Sequence, residues 1–474
     1  MNSDLCVMKF GGTSVGDANC IRRAAEIVKA AATGRPVVVV VSAMSGVTNR
    51  LIDCARRAEA GEEEHISPLV EDLRKQHTAT VDAIVEDPRR RSGVAASHEE
   101  VLAELERLLR GTALLHELTP RALDAISGIG ERLSAPIVSS AIAETGPASE
   151  PISATEIIVT DPHHGRAEPL MNPTRDRAEA RLRPLLRDRI IPVVTGFIGA
   201  TPDGVQTTLG RGGSDYSATI LGAALGAGET IIWTDVDGVK TADPRLVPEA
   251  RTLPEISYNE AAELAYFGAK VLHPNTLRPV SAANVPVWIR NSFAPDKLGT
   301  LITSGGASKG GGVKALTAYR DVTLINVGGP GIVGLTDALA RSFAATAATR
   351  ANVLLATQSS SQNDICFIIP LDHEKQTVEA LRAAFAPEIE EHTVEHISSN
   401  RNVAIVAVVG ENMRGTPGIA GRTFGALGRE GVNIIAIAQG SSEYNISCVV
   451  EESAMQRAVR TLHAEFRLHE PIPS

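Results

Sequence analysis

At 474 residues the chain is longer than one ordinary hydrophobic core can serve, so roughly three domains are expected. With 43% hydrophobic and 22% charged residues and no apolar run near the roughly 20 residues of a membrane span, it reads as no membrane protein, and a formal net charge of −10 argues against nucleic acid as a partner. The start shows no basic segment followed by an apolar one, and five scattered cysteines (Cys6, Cys20, Cys54, Cys366 and Cys448) form no C-x-x-C pair, so a reducing, cytoplasmic setting is expected.

In chain order, the first predicted strand ends in Lys9-Phe-Gly-Gly-Thr-Ser14. A Walker loop places its lysine after the glycines, at the start of a helix; here the lysine comes first. Short β-branched runs at residues 37–41, 190–194 and 230–233 predict strands buried on both faces. Alanine-rich stretches at 20–31 and 216–225 predict helices, and strands alternating with helices imply an α/β unit with a mainly parallel sheet. Residues 53–118, rich in Glu, Arg, Leu and Ala, predict a helical insertion on that unit.

The glycine-rich segment Ser304-Gly-Gly-Ala-Ser-Lys-Gly-Gly-Gly312 predicts a linker. Beyond it the chain repeats itself. Gly329 and Gly410, Arg341 and Arg422, Phe343 and Phe424, Asn352 and Asn433, and Gln358 and Gln439 are all 81 residues apart. One offset held over so long a stretch indicates tandem duplication, each copy reading strand, glycine turn, helix, strand, strand, helix. The expected division is a first domain at 1–304, a linker at 305–314, and two small α+β copies at 315–397 and 398–474.

Four glycine-bearing motifs carry the chemistry. In the first, Lys9 points towards the carboxyl edge of the sheet, and Gly11 and Gly12 let backbone N–H groups approach an anion. The second, Thr208-Leu-Gly-Arg-Gly-Gly-Ser-Asp-Tyr216, runs into a helix; it offers backbone donors, Arg211 as a bidentate grip on a carboxylate, and Asp215 in the first turn. The third, Trp233-Thr-Asp-Val-Asp-Gly-Val239 with Asp243-Pro-Arg245, suits hydrogen bonding to a nucleotide or ordinary turn chemistry. The fourth, Phe267-Gly-Ala-Lys-Val-Leu-His-Pro274, adds Lys270. Two lysines, an arginine, glycine loops and several acids together suit phosphoryl transfer, which depends on positioning and charge neutralisation. The histidine pairs His163/His164 and His392/His396 give no metal-ligand pattern.

Taken in order, the four motifs resemble those of the aspartate kinases (aspartokinases), of the monofunctional type in which two ACT domains follow a catalytic domain. The likeness spans almost the whole chain. It implies an α/β amino-acid-kinase fold over 1–304, a mainly parallel sheet flanked by helices, then two ferredoxin-like α+β ACT domains. It also implies ATP- and Mg²⁺-dependent phosphorylation of the L-aspartate β-carboxylate to 4-phospho-L-aspartate, the first step towards lysine, threonine and methionine. A carboxylate with a pKa of about 4 is already ionised at neutral pH, so such chemistry needs alignment rather than a general base. By the same resemblance Lys9 stabilises the transferred phosphoryl group and Asp215 orients it. Ser42, Thr48, Glu131, Phe197, Arg211 and Ser214 would hold the amino acid, with Glu131 on its ammonium. Lys9, Gly11, Gly12, Ser14, Thr234, Asp235, Lys240, Arg245, Lys270 and Val271 would meet the nucleotide, Lys240 standing where family members often have tyrosine.

The ACT pair implies feedback by an amino-acid effector, lysine or threonine, near Asp337, Gln358, Asp364, Gln439 and Asn445. The copies differ there, since Asp364 of the first stands where the second has Asn445. Exposed ACT strand edges usually pair between domains or chains, so a homodimer or larger homo-oligomer is expected. Because Ser474 directly follows the second copy, no fused dehydrogenase is expected. Two alternatives compete. A glutamate or N-acetylglutamate kinase of the same fold is disfavoured by Glu131 beside Arg211, since an N-acetylated substrate has no ammonium, and by the ACT pair. A non-catalytic amino-acid sensor is disfavoured by the retained Lys9, Arg211, Asp215 and Lys270.

Overall fold

The computed structural model describes residues 4–268, 272–305, 312–329, 335–358, 364–413, 416–439 and 444–470. The chain divides into two units, the first comprising Met1–Val239, Thr252–Ala261 and Val271–Ala307, the second Lys240–Arg251, Ala262–Lys270 and Ser308–Ser474. Among the described residues no helix is long and apolar enough to cross a membrane.

The chain opens with β1 (Cys6–Phe10), α1 (Ala18–Ala32), β2 (Val37–Val41), α2 (Val47–Glu59), α3 (Ile66–Ile84), α4 (Pro88–Leu115), α5 (Pro120–Ser127) and α6 (Ile129–Glu144). It continues through β3 (Ser149–Ile152), α7 (Met171–Arg187), β4 (Ile191–Thr195), β5 (Ile198–Ala200), β6 (Gln206–Thr208), α8 (Gly213–Leu225) and β7 (Glu229–Thr234). Then come β8 (Glu255–Ser257), α9 (Tyr258–Tyr266), α10 (Arg278–Ala283), β9 (Val287–Asn291) and β10 (Thr300–Thr303).

Eight strands of the first unit form one sheet in the order β3-β4-β2-β1-β7-β9-β10-β8. Pairing is parallel from β3 through β9, and β10 runs antiparallel to β9. β2 is five consecutive valines, all buried, as a strand covered by helices on both faces demands. The chain order reverses at β1: β2, β4 and β3 extend to one side, β7 and β9 to the other. Ligands of open α/β sheets settle beyond the carboxyl ends of the strands at such a switch. Phe10, Val41, Thr195, Thr234 and Asn291 all end their strands at this edge.

The predicted helical stretch at 53–118 is helical, but it is no appendage. Cys54, Leu73, Leu102, Leu105 and Leu109 share one buried cluster with Met8 and Val39 of the central strands. Asp87 and Thr119 cap α4 and α5, each followed by a proline in the first turn, where a missing N–H costs nothing. These caps set where the helical wall breaks and turns back towards the sheet edge.

The second unit adds β11 (Gly312–Tyr319), β12 (Val322–Gly328), α11 (Leu335–Ala348), β13 (Leu355–Gln358), β14 (Asp364–Pro370), α12 (Glu374–Ala384), α13 (Ala386–Glu390) and β15 (His396–Asn400). The last elements are β16 (Val403–Glu411), α14 (Ile419–Arg429), β17 (Ile434–Ala438), β18 (Asn445–Glu451) and α15 (Met455–Glu465). The 81-residue offset carries β14 onto β18 and α12 onto α15 end for end. It also carries a packing detail, Arg341 lying 4.5 Å over the Phe385 ring and Arg422 4.6 Å over Phe466.

Strand pairing departs from the expected division. The two antiparallel sheets are ordered β11-β16-β18-β17 and β13-β14-β12-β15. β11, expected in the first copy at 315–397, is therefore the edge strand of the second, and the first copy completes its own sheet with β15, on the far side of its sequence. The expected linker at 305–314 also gives up Gly312, Val313 and Lys314 to β11. The reason is that an antiparallel edge strand can come from either end of the chain, and the repeat itself is blind to which. Residues 240–251 pack with the second unit, where Ala242, Val247 and Ala250 are buried with Val406, Val408 and Cys448.

Candidate active site

Lys9 is the penultimate residue of β1 and only 8% exposed. Its Nζ lies 2.5 Å from Asp215 Oδ1 and close over Gly11, where a Cβ would come within 3.2 Å of it. Asp215 sits in the first turn of α8, whose N-cap is Gly212 with φ of +71°, a conformation glycine adopts without steric penalty. No side chain caps α8, so the Asp215 carboxylate faces Lys9 rather than its own helix end. A carboxylate in a first turn is itself favoured by the helix dipole.

The loop after β1 is anchored to the β7–β9 side of the sheet edge. Gly11 N–H donates to the Trp233 carbonyl at 3.3 Å and Ser14 N–H to that of Gly11 at 2.9 Å. Ser14 Oγ lies 2.8 Å from Ser292 Oγ, just beyond β9. Among the described residues the N–H groups of Gly12 and Thr13 have no protein acceptor. Those two donors and the Lys9 ammonium lie at one corner of the sheet edge, groups of the kind that suit an anion.

Glu131 comes from the opposite wall. It lies in the first turn of α6, 3% exposed, and its Oε2 meets no hydrogen-bond donor among the described residues. Burial pushes its pKa up to about 8, against the opposing pull of a bond from the Ala43 N–H and of the Lys9 charge. At Gly130 a Cβ would fall 2.6 Å from that of Ala43, so α6 is pressed onto the loop after β2. Ser42 opens that loop: its N–H donates to the Phe10 carbonyl at 3.1 Å, and its own carbonyl accepts from Ser134 Oγ at 2.7 Å. Thr48 stands half-buried in the first turn of α2.

The loop after β4 closes the corner. Phe197 has φ of +67°, a strained conformation for a bulky residue that the surroundings must impose. They do so through its N–H, which donates to Ser217 Oγ at 3.0 Å, and its carbonyl, which accepts from Leu209 N–H at 2.9 Å. At Gly196 a Cβ would lie 2.7 Å from that of Ser214, and at Gly213 one would strike the Phe197 ring at 2.6 Å. Ser214 is half-buried beside this interlock, and Arg211, in the turn before α8, is exposed. Thr234 ends β7 and donates through Oγ1 to exposed Asp235 at 3.1 Å.

The first unit thus brings together Lys9, Gly11, Gly12, Ser14, Ser42, Thr48, Glu131, Phe197, Arg211, Ser214, Asp215, Thr234 and Asp235 at its strand ends and the loops that follow them. Lys240 and Arg245 belong to the second unit. The exposed Arg245 guanidinium is bound to Asp243, 2.6 Å between Nη2 and Oδ2, which holds the Asp243 carboxyl below the usual range. Lys270 and Val271 lie outside the described residues. Of the effector candidates, Asp337 is exposed 3.5 Å from Arg341, and Asp364 faces His396 Nε2 at 3.5 Å. Asn445 donates through Nδ2 to Glu263. Gln358 and Gln439 are exposed at and just beyond the ends of β13 and β17.

One buried group near this edge carried no sequence signal. Asp124, on α5 and 2% exposed, accepts from Thr208 Oγ1 at 2.5 Å and from His164 Nδ1 at 2.7 Å. Its partners are 84 and 40 residues away in sequence, so no local motif announces it. His163 turns instead to Asp161 at 2.7 Å, and the two adjacent histidines serve separate carboxylates.

Residues 4–291 match the amino acid kinase family, and residues 325–385 and 406–466 each match the ACT domain. The chain is 36% identical over 471 residues to the carrot (Daucus carota) bifunctional aspartokinase/homoserine dehydrogenase, covering 98% of this chain and 50% of that protein. It therefore spans about half the length of the bifunctional relatives of this kind. It is 34% identical to Arabidopsis thaliana aspartokinase 1 over 97% of this chain and 80% of that protein. Among solved structures, E. coli aspartokinase III in complex with aspartate and ADP superposes with a TM-score of 0.82 at 30% identity, covering 98% of this chain and all of that one. The same enzyme with lysine and aspartate gives 0.80 at 30% identity and the same coverage. With the parallel sheet, the corner of charges at its carboxyl edge and the paired ACT copies, the chain belongs to the aspartokinases of the amino acid kinase family.

Proposed function

We propose that the chain catalyses ATP-dependent phosphorylation of the β-carboxylate of L-aspartate to 4-phospho-L-aspartate. The observation that carries this reading is the buried Glu131 carboxylate, with an oxygen lacking a donor, at the same sheet edge as Lys9 and Asp215. A buried carboxylate without a partner is costly, and the ammonium of an α-amino acid supplies the missing one. Arg211 and Ser214 would then hold the acid groups of the substrate, with Ser42, Thr48 and Phe197 shaping the space between. The Lys9 ammonium and the Gly12 and Thr13 N–H groups would receive the γ-phosphate, offsetting the repulsion between an anionic nucleophile and a polyphosphate. Asp215 holds the Lys9 ammonium at the end of its strand. Binding of nucleotide by Lys240, Arg245, Lys270 and Val271 rests on the family resemblance.

Mg²⁺ fits this corner as an ion carried by the phosphates. Among the described residues the group of three ligands able to hold a metal is Glu62, Glu64 and His65, between α2 and α3, whereas the sheet edge offers the separate carboxylates Asp215 and Asp235. Mg²⁺ commonly binds through one or two carboxylates together with substrate phosphates. When bound it would neutralise charge on the transferring group.

E. coli aspartokinase III has been solved with lysine, and the tandem ACT copies support feedback here by lysine or threonine, with a homo-oligomer as the working assembly. The deciding experiment supplies the protein with Mg-ATP, L-aspartate and hydroxylamine, with and without each effector. Aspartyl hydroxamate and ADP are expected. Turnover of glutamate without turnover of aspartate would overturn the assignment.

A further inference from the structure

If Glu131 receives the ammonium and Arg211 a carboxylate, the two groups that frame the amino acid come from different elements. Glu131 stands on α6; Arg211 stands in the turn between β6 and α8. An α-amino acid carries its ammonium and α-carboxylate on one carbon, so the spacing of these elements sets how well the substrate is held. Asp124 joins them.

On one side, Asp124 lies in α5, which passes through Gly128 directly into α6. A Cβ at Gly128 would fall 2.6 Å from both Gln206 Nε2 and Ile198 Cγ2, so the helix junction is pressed onto the β5–β6 hairpin. Gln206 Nε2 also donates to the Asp124 main-chain carbonyl at 3.0 Å. On the other side, the Asp124 carboxylate takes both donors of Thr208, Oγ1 at 2.5 Å and N–H at 3.2 Å. Thr208 is the last residue of β6, three before Arg211. The same carboxylate accepts from His164 Nδ1 at 2.7 Å and from Gly165 N–H at 3.0 Å. Gly165 in turn packs its carbonyl over Gly210, where φ is +76° and a Cβ would come within 3.0 Å. An ionised carboxylate accepts at both oxygens and brings no proton of its own, so it satisfies all these donors together; an asparagine would turn an NH₂ towards one set of them.

We infer that Asp124 is a positioning residue for the amino-acid substrate, clamping the Thr208–Gly210 segment and the His164–Gly165 loop to the helix that leads into Glu131. It touches neither substrate nor nucleotide and acts through Arg211 and Glu131. The inference rests on the reading of those two residues given above.

The test is steady-state kinetics on the full chain, with KM for aspartate, KM for ATP and kcat measured separately, beside a thermal melt. Asp124→Asn should raise KM for aspartate about tenfold or more with KM for ATP within about twofold. Thr208→Val removes one donor while keeping shape; it should raise KM for aspartate by a smaller factor, and Thr208→Ser should restore it. Thr208→Val decides the matter should Asp124→Asn fail to fold. The inference is overturned if Thr208→Val and Thr208→Ser share the wild-type KM for aspartate, or if the KM values for both substrates rise together in step with lost stability. Wild-type protein without aspartate-dependent turnover would instead defeat the underlying functional reading, and this inference with it.

Discussion

Two glutamates, one in each unit, expose little surface, Glu131 lying much the deeper of the two, and the protein treats them in opposite ways. Glu131 at 3% exposure keeps an oxygen without a donor, and burial pushes its pKa up to about 8. Glu374 at 4% exposure is met by the Arg401 guanidinium at 2.5 Å. Burial pushes its carboxyl up as well, but the bonds from Arg401 and neighbouring hydroxyls more than offset this and leave it below the usual range. The contrast separates a carboxylate whose charge is already paired within the fold from one whose oxygen is left without a donor. A buried carboxylate left uncompensated in this way is a candidate for cation recognition, the role proposed above for Glu131.

The largest way to test that contrast is to remove the cation nearest Glu131 and Asp215. Lys9→Met should lower turnover by about 10²–10³-fold, as loss of a preorganised charge on a transferring group typically does, and wild-type turnover in the variant would remove Lys9 from the chemistry. Next, Glu131→Gln should raise KM for aspartate about tenfold or more while stabilising the ligand-free protein. The sign follows from linkage: with a folded pKa above the unfolded one, Glu131 is protonated when folded and ionised when unfolded between about pH 4.5 and 8, so stability falls as pH rises through that window. The melting-temperature gain of Glu131→Gln should therefore grow from pH 5 to pH 8, and a gain independent of pH would contradict the raised pKa.

Glu374→Gln should do the reverse. It should lower the melting temperature at neutral pH, since it removes the charge-assisted bond to Arg401. Because Glu374 titrates low in the fold, its stabilisation is present above the unfolded pKa and lost as pH falls through the folded one, so variant and wild type should converge in acid denaturation. The smallest effect is expected at the difference between the ACT copies. Asp364→Asn, which makes the first copy match Asn445 of the second, should shift half-inhibition by lysine or threonine less than about tenfold with uninhibited turnover intact. An unmoved inhibition curve would remove Asp364 from effector recognition.

Much of this was legible in the sequence, for identifiable reasons. Lys9, the glycine loops and Asp215 are contiguous with the strands and helix that carry them, so local patterning sufficed to put Lys9 near the end of β1 and Asp215 in the first turn of α8. The duplication was legible because side chains at one offset keep the same packing role, as Arg341 and Arg422 show over their phenylalanines. What escaped is non-local. Asp124 earns its position from donors far along the chain. Arg245 reads as part of a strand-end motif beginning at Trp233, but the chain leaves the first unit after Val239. Strand β11 resembles any edge strand until its partner is known.

That strand shapes how the second unit can be built. Because β11 pairs with β16, its partner emerges only after the first ACT copy has been synthesised in full between them. During synthesis an edge strand must therefore stay unsatisfied while a neighbouring module folds, a non-local closure that is intrinsically slow. The copies resemble beads on a string in sequence. In folding they are nested, with the inner one free to form first and the outer one able to close only around it.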